Sequence, residues 1–290
     1  MSAARGLPAI LGDIKLAHSI FALPFAALGL LLGLHGRPPT ALLLLQVLAA
    51  MILARSAAMG WNRLADRRFD GSNPRTAGRA LPSGAVSPRA MALFVLACAA
   101  GFVAVAASIS RLCLLLSPIV LAVLWLYSLS KRFTSLAHLF VGLALALSPP
   151  AAYVAARGAI EADIVPVLWI GLAVLLWVAG FDVIYACQDV EHDRAERLHS
   201  LPARLGVTRA LAVARLLHAL MLAALAATAL SAGLGPLSWV AIALVAALLV
   251  GEHALVRGGN LARVNAAFFT LNGVVSLVFA GLVGADLLWR

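Results

Sequence analysis

The chain has 290 residues, 63% of them hydrophobic and 12% charged, with a mean hydropathy of +1.00. A soluble domain carries roughly 25% charged residues, so this chain lacks the polar surface for a water-soluble globule; its apolar content also excludes disorder, its three cysteines exclude a secreted disulfide scaffold, and long apolar runs without alternation speak against a membrane β-barrel. The formal net charge of +10, from 22 Lys and Arg against 12 Asp and Glu, reads as basic residues gathered on cytoplasmic loops, since no basic stripe with interleaved aromatics marks a nucleic-acid surface.

Nine apolar segments follow in chain order, at approximately 16–34, 40–58, 91–109, 112–130, 135–153, 164–186, 208–230, 237–256 and 265–285. Each is near the roughly 20 residues that span a bilayer as a helix. The expectation is an all-α integral membrane protein, a bundle of nine transmembrane helices forming a single domain over 1–290. With the N-terminus cytoplasmic, sixteen Lys and Arg fall on inside positions and four outside, and Arg55 and Arg215 lie within spans. That split obeys the positive-inside rule and places the C-terminus outside. The first apolar run is too long for a cleavable signal peptide and lacks a clear small-residue cleavage site. Pro149-Pro150 is expected to kink or end the fifth span. Gly142, Gly180 and Gly273 read as helix-packing contacts.

Two long polar stretches, roughly 59–90 and 187–207, lie on the cytoplasmic side in this topology. In so apolar a chain they are where function is sought. In the first, Asn62, Asp66 and Asp70 are spaced four apart and share one face of a helix. Two carboxylates at that spacing repel and call for a positive charge between them. A hard divalent cation such as Mg²⁺ meets that need, and so does neutralisation by Arg67 and Arg68 in a solvated network. In the second, Asp189 and Asp193 repeat the spacing, and Asp182 and Tyr185 fall on the same helical face. Carboxylates at the end of a membrane helix are costly unless solvated, paired or metal-bound. Two aspartate pairs on one membrane face look like two halves of one site holding a polyanion through Mg²⁺, which usually binds by one or two carboxylates plus substrate phosphates. Tyr127 and Lys131, at i,i+4 by the end of the fourth span, offer a hydroxyl and a phosphate-binding ammonium; they also fit an ordinary interfacial tyrosine and a topology lysine. Arg75, Arg79 and Arg204 are further basic candidates of the same double meaning.

These residues together resemble the UbiA superfamily of intramembrane aromatic prenyltransferases. The resemblance rests on Asn62, Asp66 and Asp70, continued by Gly71, Arg75-Thr76 and Arg79-Ala80-Leu81-Pro82-Ser83-Gly84; on Asp189 and Asp193 behind Tyr185-Ala186-Cys187-Gln188; and on Tyr127 with Lys131. It covers essentially the whole chain, and nine spans agree with it. It implies transfer of a prenyl group from an allylic diphosphate to an aromatic ring carbon, with Mg²⁺ as cofactor. Asp66, Asp70, Asp189 and Asp193 would be the catalytic and metal-bridging carboxylates. Asn62 and Asp182 would be supporting ligands or orienters, and Arg67, Tyr127 and Lys131 would contact diphosphate oxygens. Lys15, where the first span leaves the cytoplasm, is a candidate partner for the acceptor carboxylate or an ordinary positive flank.

Within the superfamily the Asp-Arg-x-Phe-Asp-Gly and Leu-Pro-Ser-Gly stretches are most similar to 4-hydroxybenzoate polyprenyltransferases of ubiquinone synthesis. The Tyr-Ala-Cys-Gln-Asp stretch is also similar to relatives that prenylate 1,4-dihydroxy-6-naphthoate in the futalosine route to menaquinone. The implied partners are a polyprenyl diphosphate, an aromatic acid and the lipid bilayer, with no nucleic acid and no obligate protein partner. The implied location is the cell inner membrane, with the active site facing the cytoplasm. Two readings from other classes compete. A secondary transporter would place its binding residues near the midplane on broken helices, whereas these acids cluster at one interface. A CDP-alcohol phosphotransferase would need a different aspartate spacing. Cys98 and Cys113 read as apolar fillers and Cys187 as inert; the seven histidines show no zinc spacing.

Overall fold

The structure is a computed structural model that describes residues 3–14, 21–261, 264 and 270–289. It is helical, with no β-strand among the described residues. In chain order the helices are α1 (Ala3–Ile14), α2 (Leu23–Leu34), α3 (Ala41–Ser72), α4 (Pro88–Ile109), α5 (Arg111–Ser130), α6 (Ala137–Ala146), α7 (Ser148–Arg157), α8 (Val165–Ala186), α9 (Val190–Ala195), α10 (Leu201–Leu205), α11 (Val207–Ser231), α12 (Pro236–Leu255) and α13 (Asn272–Leu288).

Among the described residues seven stretches are long and apolar enough to cross a membrane: Ala41–Ser72, Pro88–Ile109, Arg111–Ser130, Ala137–Arg157, Ala162–Ala195, Val207–Ser231 and Pro236–Gly259. In the segment expected at 16–34 lies the shorter apolar helix α2, and α13 overlaps the one expected at 265–285 and runs three residues past it; residues 15–20 and 265–269 lie outside the described set. Large side chains such as Leu42, Leu93, Leu115 and Leu216 are exposed. On helices of this length and composition such side chains are lipid-facing, and the chain is a multi-pass membrane protein.

Local chemistry explains the helix boundaries. Ser87 caps α4, its hydroxyl accepting from the Ala90 N–H at 3.2 Å, and Pro88 supplies the first helical residue. The expected fifth span is divided at Leu147 into α6 and α7, and Pro149-Pro150 sit in the first turn of α7. There a missing N–H costs nothing. By contrast α3 runs unbroken for 32 residues, about 48 Å at 1.5 Å per residue. Hydropathy falls after residue 58, but the helix continues, because loss of apolar character marks the edge of the lipid and not the end of the hydrogen-bond ladder.

The chain forms two compact units, Met1–Ser19 with Ala41–Leu129, and Ile20–Thr40 with Ser130–Arg290. In the first, α3 packs along α4, and Gly60 permits the contact: a Cβ there would lie 2.7 Å from Val95 Cγ2. Ile10 and Ile14 of α1 join Ala80, Leu81, Val86 and Met91 in a separate apolar cluster. In the second unit α8 is buried on nearly every side, against α6 and α11, as suits a helix apolar all round. Gly142 lets α6 approach α8, and Gly180 accommodates the His218 ring; no described atom lies within 4 Å of a Cβ at Gly273. The expected packing role therefore holds for Gly142 and Gly180 and finds no contact at Gly273. Gly29 is equally tight against the Pro149 carbonyl, which brings α2 onto α7. Polar bonds add to this core. Trp177 Nε1 donates to Asn272 Oδ1 at 2.6 Å, and Asn272 Nδ2 donates to Glu252 Oε1 at 2.9 Å. His218 lies 3.0 Å from His253 Nε2 and 3.2 Å from the Trp177 carbonyl oxygen.

Candidate active site

The first aspartate cluster is carried by the polar end of α3. Because the helix persists to Ser72, Asn62, Asp66 and Asp70 keep their shared face. Asn62 Nδ2 donates to Asp66 Oδ2 at 2.8 Å, and Arg63 Nη1 donates to Asn62 Oδ1 at 2.9 Å. Arg63 is buried, with Nε 3.5 Å from Asp13 Oδ2, so α1 fixes the arginine that fixes the asparagine. Asp70 is 7% exposed and its Oδ1 accepts from Arg79 Nη1 at 2.7 Å. Its Oδ2 is buried without a hydrogen bond.

A folded loop returns Arg79 to α3. The Asn73 carbonyl accepts from Thr76 and Ala77 N–H, the Asn73 side chain accepts from Arg75 N–H at 2.9 Å, and Thr76 Oγ1 donates to the Asp70 carbonyl at 3.0 Å. Gly84, at φ +74°, closes the loop and aligns the Val86 N–H with the Ala80 carbonyl. Leu81 is buried in the cluster with α1. The Leu81-Pro82-Ser83-Gly84 stretch is therefore the anchor of the loop that supplies Arg79. Arg67 and Arg68 are exposed; the positive group on Asp70 is Arg79. Tyr127 is half-buried in the same unit, its hydroxyl 3.9 Å from Met59 Sδ.

The second cluster departs from the single helical face that the spacing predicts. α8 ends at Ala186, residues Cys187–Asp189 form a 3₁₀ turn, and α9 begins at Val190. A 3₁₀ turn advances 120° per residue instead of 100°, so the α-helical period does not run unbroken from Asp182 to Asp193. Gln188 Nε2, donating to the Tyr185 carbonyl at 3.1 Å, braces the turn. Asp193 is 2% exposed; Lys131 Nζ lies 3.6 Å from its Oδ2, which accepts no hydrogen bond. The Lys131 carbonyl accepts from His199 N–H at 2.7 Å, tying the residue to the loop after α9. Asp182 has a partner that the sequence did not disclose: His138 Nδ1, 2.7 Å from its Oδ2. Cys187 is buried with its thiol on the Val183 carbonyl, as expected of an inert cysteine. Lys15 lies outside the described residues.

Both clusters suit a hard cation. Asp70 Oδ2 and Asp193 Oδ2 are buried carboxylate oxygens without a hydrogen bond, although Arg79 pairs with Asp70 and Lys131 Nζ lies 3.6 Å from Asp193, so each keeps a lone pair that a cation could use. Among the described residues no three His, Cys, Asp or Glu side chains converge to hold a metal alone.

Known proteins share this fold. The model of the UbiA prenyltransferase family matches residues 22–274. A 4-hydroxybenzoate octaprenyltransferase of Alkalilimnicola ehrlichii is 32% identical over 257 residues, 88% of this chain and 85% of the relative. One of Aeromonas salmonicida is 35% identical over 242 residues, 83% of this chain and 82% of its own length. Among solved structures, the apo UbiA homologue from Aeropyrum pernix K1 superposes with a TM-score of 0.85 at 37% identity, covering 94% of this chain and 98% of that one. A UbiA homologue from Archaeoglobus fulgidus bound to GPP and Mg²⁺ shares the fold, with a TM-score of 0.72 at 21% identity over 97% of this chain and all of that one. With its helical fold and its two aspartate clusters, the chain belongs to the UbiA prenyltransferase family.

Proposed function

We propose that the chain transfers a polyprenyl group from an allylic polyprenyl diphosphate to a ring carbon of 4-hydroxybenzoate, in ubiquinone biosynthesis and with Mg²⁺. The observation that carries the reading is the match to 4-hydroxybenzoate octaprenyltransferases along more than four-fifths of both chains. In this reading 1–290 acts as one domain of nine spans in the cell inner membrane, with the N-terminus and the aspartates cytoplasmic and the C-terminus outside. The prenyl tail and the product are insoluble in water, which is why the reaction belongs in a membrane.

Breaking the allylic C–O bond requires stabilising the diphosphate that leaves. Asp66, Asp70, Asp189 and Asp193 hold the metal; when bound, Mg²⁺ neutralises the diphosphate and improves it as a leaving group. The unbonded oxygens of Asp70 and Asp193 support this assignment. Asn62, through its bond to Asp66, sets the orientation of that carboxylate, and Asp182 supports the second pair. Arg67, Tyr127 and Lys131 supply donors to the diphosphate oxygens. Lys131 stands beyond hydrogen-bond length from Asp193 at 3.6 Å, so it is free to turn toward a phosphate without breaking a tight ion pair. Lys15 pairs with the acceptor carboxylate. The ring attacks the allylic cation and then loses a proton. A second reading, prenylation of 1,4-dihydroxy-6-naphthoate, is favoured by the Tyr185-Ala186-Cys187-Gln188-Asp189 stretch and uses the same chemistry on another phenolic acid.

The test is a membrane assay with a long-chain allylic diphosphate and Mg²⁺, with 4-hydroxybenzoate in one tube and the naphthoate in the other. Product in the first assigns ubiquinone synthesis; product in the second alone assigns menaquinone synthesis. Asp66→Ala and Asp189→Ala each abolish transfer, as does removal of Mg²⁺ by chelation. Full activity in either variant would overturn the assignment of the aspartates.

A further inference from the structure

His138 is fully buried in the first turn of α6, and both of its ring nitrogens are engaged. Nε2 is the acceptor for the Leu201 backbone N–H at 3.3 Å. An imidazole nitrogen that accepts carries no proton, so in the neutral ring the proton is on Nδ1. Nδ1–H therefore donates to Asp182 Oδ2, 2.7 Å away. The ring thus has a fixed tautomer and a direction, from the backbone before α10, through the histidine, to the carboxylate on α8. Neighbouring bonds hold the same loop. The Ser200 hydroxyl accepts from Ala203 N–H at 3.3 Å, Arg194 Nε donates to the Ala203 carbonyl at 3.0 Å, and Arg204 Nη1 reaches Ser135 Oγ at 3.4 Å. The loop so held is the one whose His199 N–H bonds the Lys131 carbonyl.

We propose that His138 is the positioning residue of the second aspartate cluster: by donating to Asp182 and accepting from Leu201 it sets the direction of the Asp182 carboxylate and ties it to the loop after α9, whose His199 N–H bonds the Lys131 carbonyl. Oδ2 is held by the ring, on a side chain still 23% exposed. His138 is fully buried and acts through Asp182 and the Leu201 backbone, not by contact with either substrate. The inference deepens the proposed function and rests on it.

The experiment measures Mg²⁺-dependent binding of geranyl diphosphate to the detergent-purified full chain, which needs no knowledge of the acceptor. Thermal stability of each variant is recorded beside it. His138→Ala weakens binding about tenfold, the scale of one lost hydrogen bond to a charged group. His138→Asn, whose amide N–H falls where Nδ1 was, restores binding to within about threefold, while His138→Gln, which can only reach the Leu201 side, does not. In an Asp182→Ala background His138→Ala costs clearly less than in the wild type, because the carboxylate it orients is gone. Additive losses in the double variant, or equal rescue by Asn and Gln, would overturn the inference and leave the site reading intact. Wild-type binding in Asp182→Ala alone would instead remove the role given to Asp182, and the inference with it. A variant that merely unfolds is recognised by its melting curve, and His138→Asn against His138→Gln then decides.

Discussion

In Gly142→Ala the new methyl carbon would lie 2.3 Å from the Leu175 carbonyl oxygen and 3.2 Å from Leu175 Cα. A carbon sits no nearer than about 3.3 Å to a carbonyl oxygen even in a favourable C–H···O contact. The backbone of α6 must therefore retreat from α8 by about 1 Å. Gly142 is one helical turn from His138, on the same face. The same retreat stretches the His138–Asp182 contact from 2.7 Å toward about 3.7 Å, past hydrogen-bond range. Overpacking of this kind costs about 1–3 kcal/mol, and the lost bond adds about 1 kcal/mol. The variant should melt several degrees below wild type in detergent and bind geranyl diphosphate with Mg²⁺ more weakly. Adding His138→Ala to it should weaken binding little further. A Gly142→Ala protein with wild-type melting and wild-type binding would refute the argument that this close approach sets the second cluster.

Two further perturbations test other parts of the molecule. Arg79→Ala leaves the Asp70 carboxylate, 7% exposed, without its hydrogen bond, and should cost about 2 kcal/mol of stability; in an Asp70→Asn background the same change should cost clearly less, and equal losses in both backgrounds would refute the pairing. Trp177→Phe removes the indole donor that Asn272 Oδ1 accepts at 2.6 Å and should destabilise the second unit by about 1–3 kcal/mol, read as a lower melting temperature; an unchanged melt would mean that Asn272 readily finds another donor.

The local parts of this structure were legible in the sequence, and the long-range parts were not. Helices α11 (Val207–Ser231) and α12 (Pro236–Leu255) begin and end within a residue of the apolar segments at 208–230 and 237–256. Hydropathy and helix length report on the same bilayer there. On α3 the two diverge, because a helix can outrun the lipid. The face shared by Asn62, Asp66 and Asp70 was legible because α3 is continuous, whereas the turn between Asp182 and Asp193 was not legible. Spacing converts to direction only while the helix type is constant, and the turn at Cys187–Asp189 changes it. Arg79 was named as a basic candidate, but its place on Asp70 depends on the loop that folds back from Asn73 to Val86. His138 and Asp182 are 44 residues apart, and no period in a sequence encodes a meeting between two helices. Burial did leave one trace. A histidine in the opening turn of an apolar segment must find polar partners inside the protein, and that signal marks His138 without naming Asp182.

α3 has a mechanical consequence. Lipid-embedded leucines and the carboxylates of Asp66 and Asp70 ride on one continuous rod, about 48 Å long. Hydrophobic mismatch is commonly relieved by changing helix tilt. With no hinge between its two ends, a rod tilted ten degrees about its middle sweeps each end sideways by about 4 Å. A displacement that size exceeds the length of any hydrogen bond in the first cluster. The thickness of the surrounding bilayer is thus geared to the placement of Asp66 and Asp70 and, under the proposed function, lipid composition becomes a variable of the chemistry as much as of the fold.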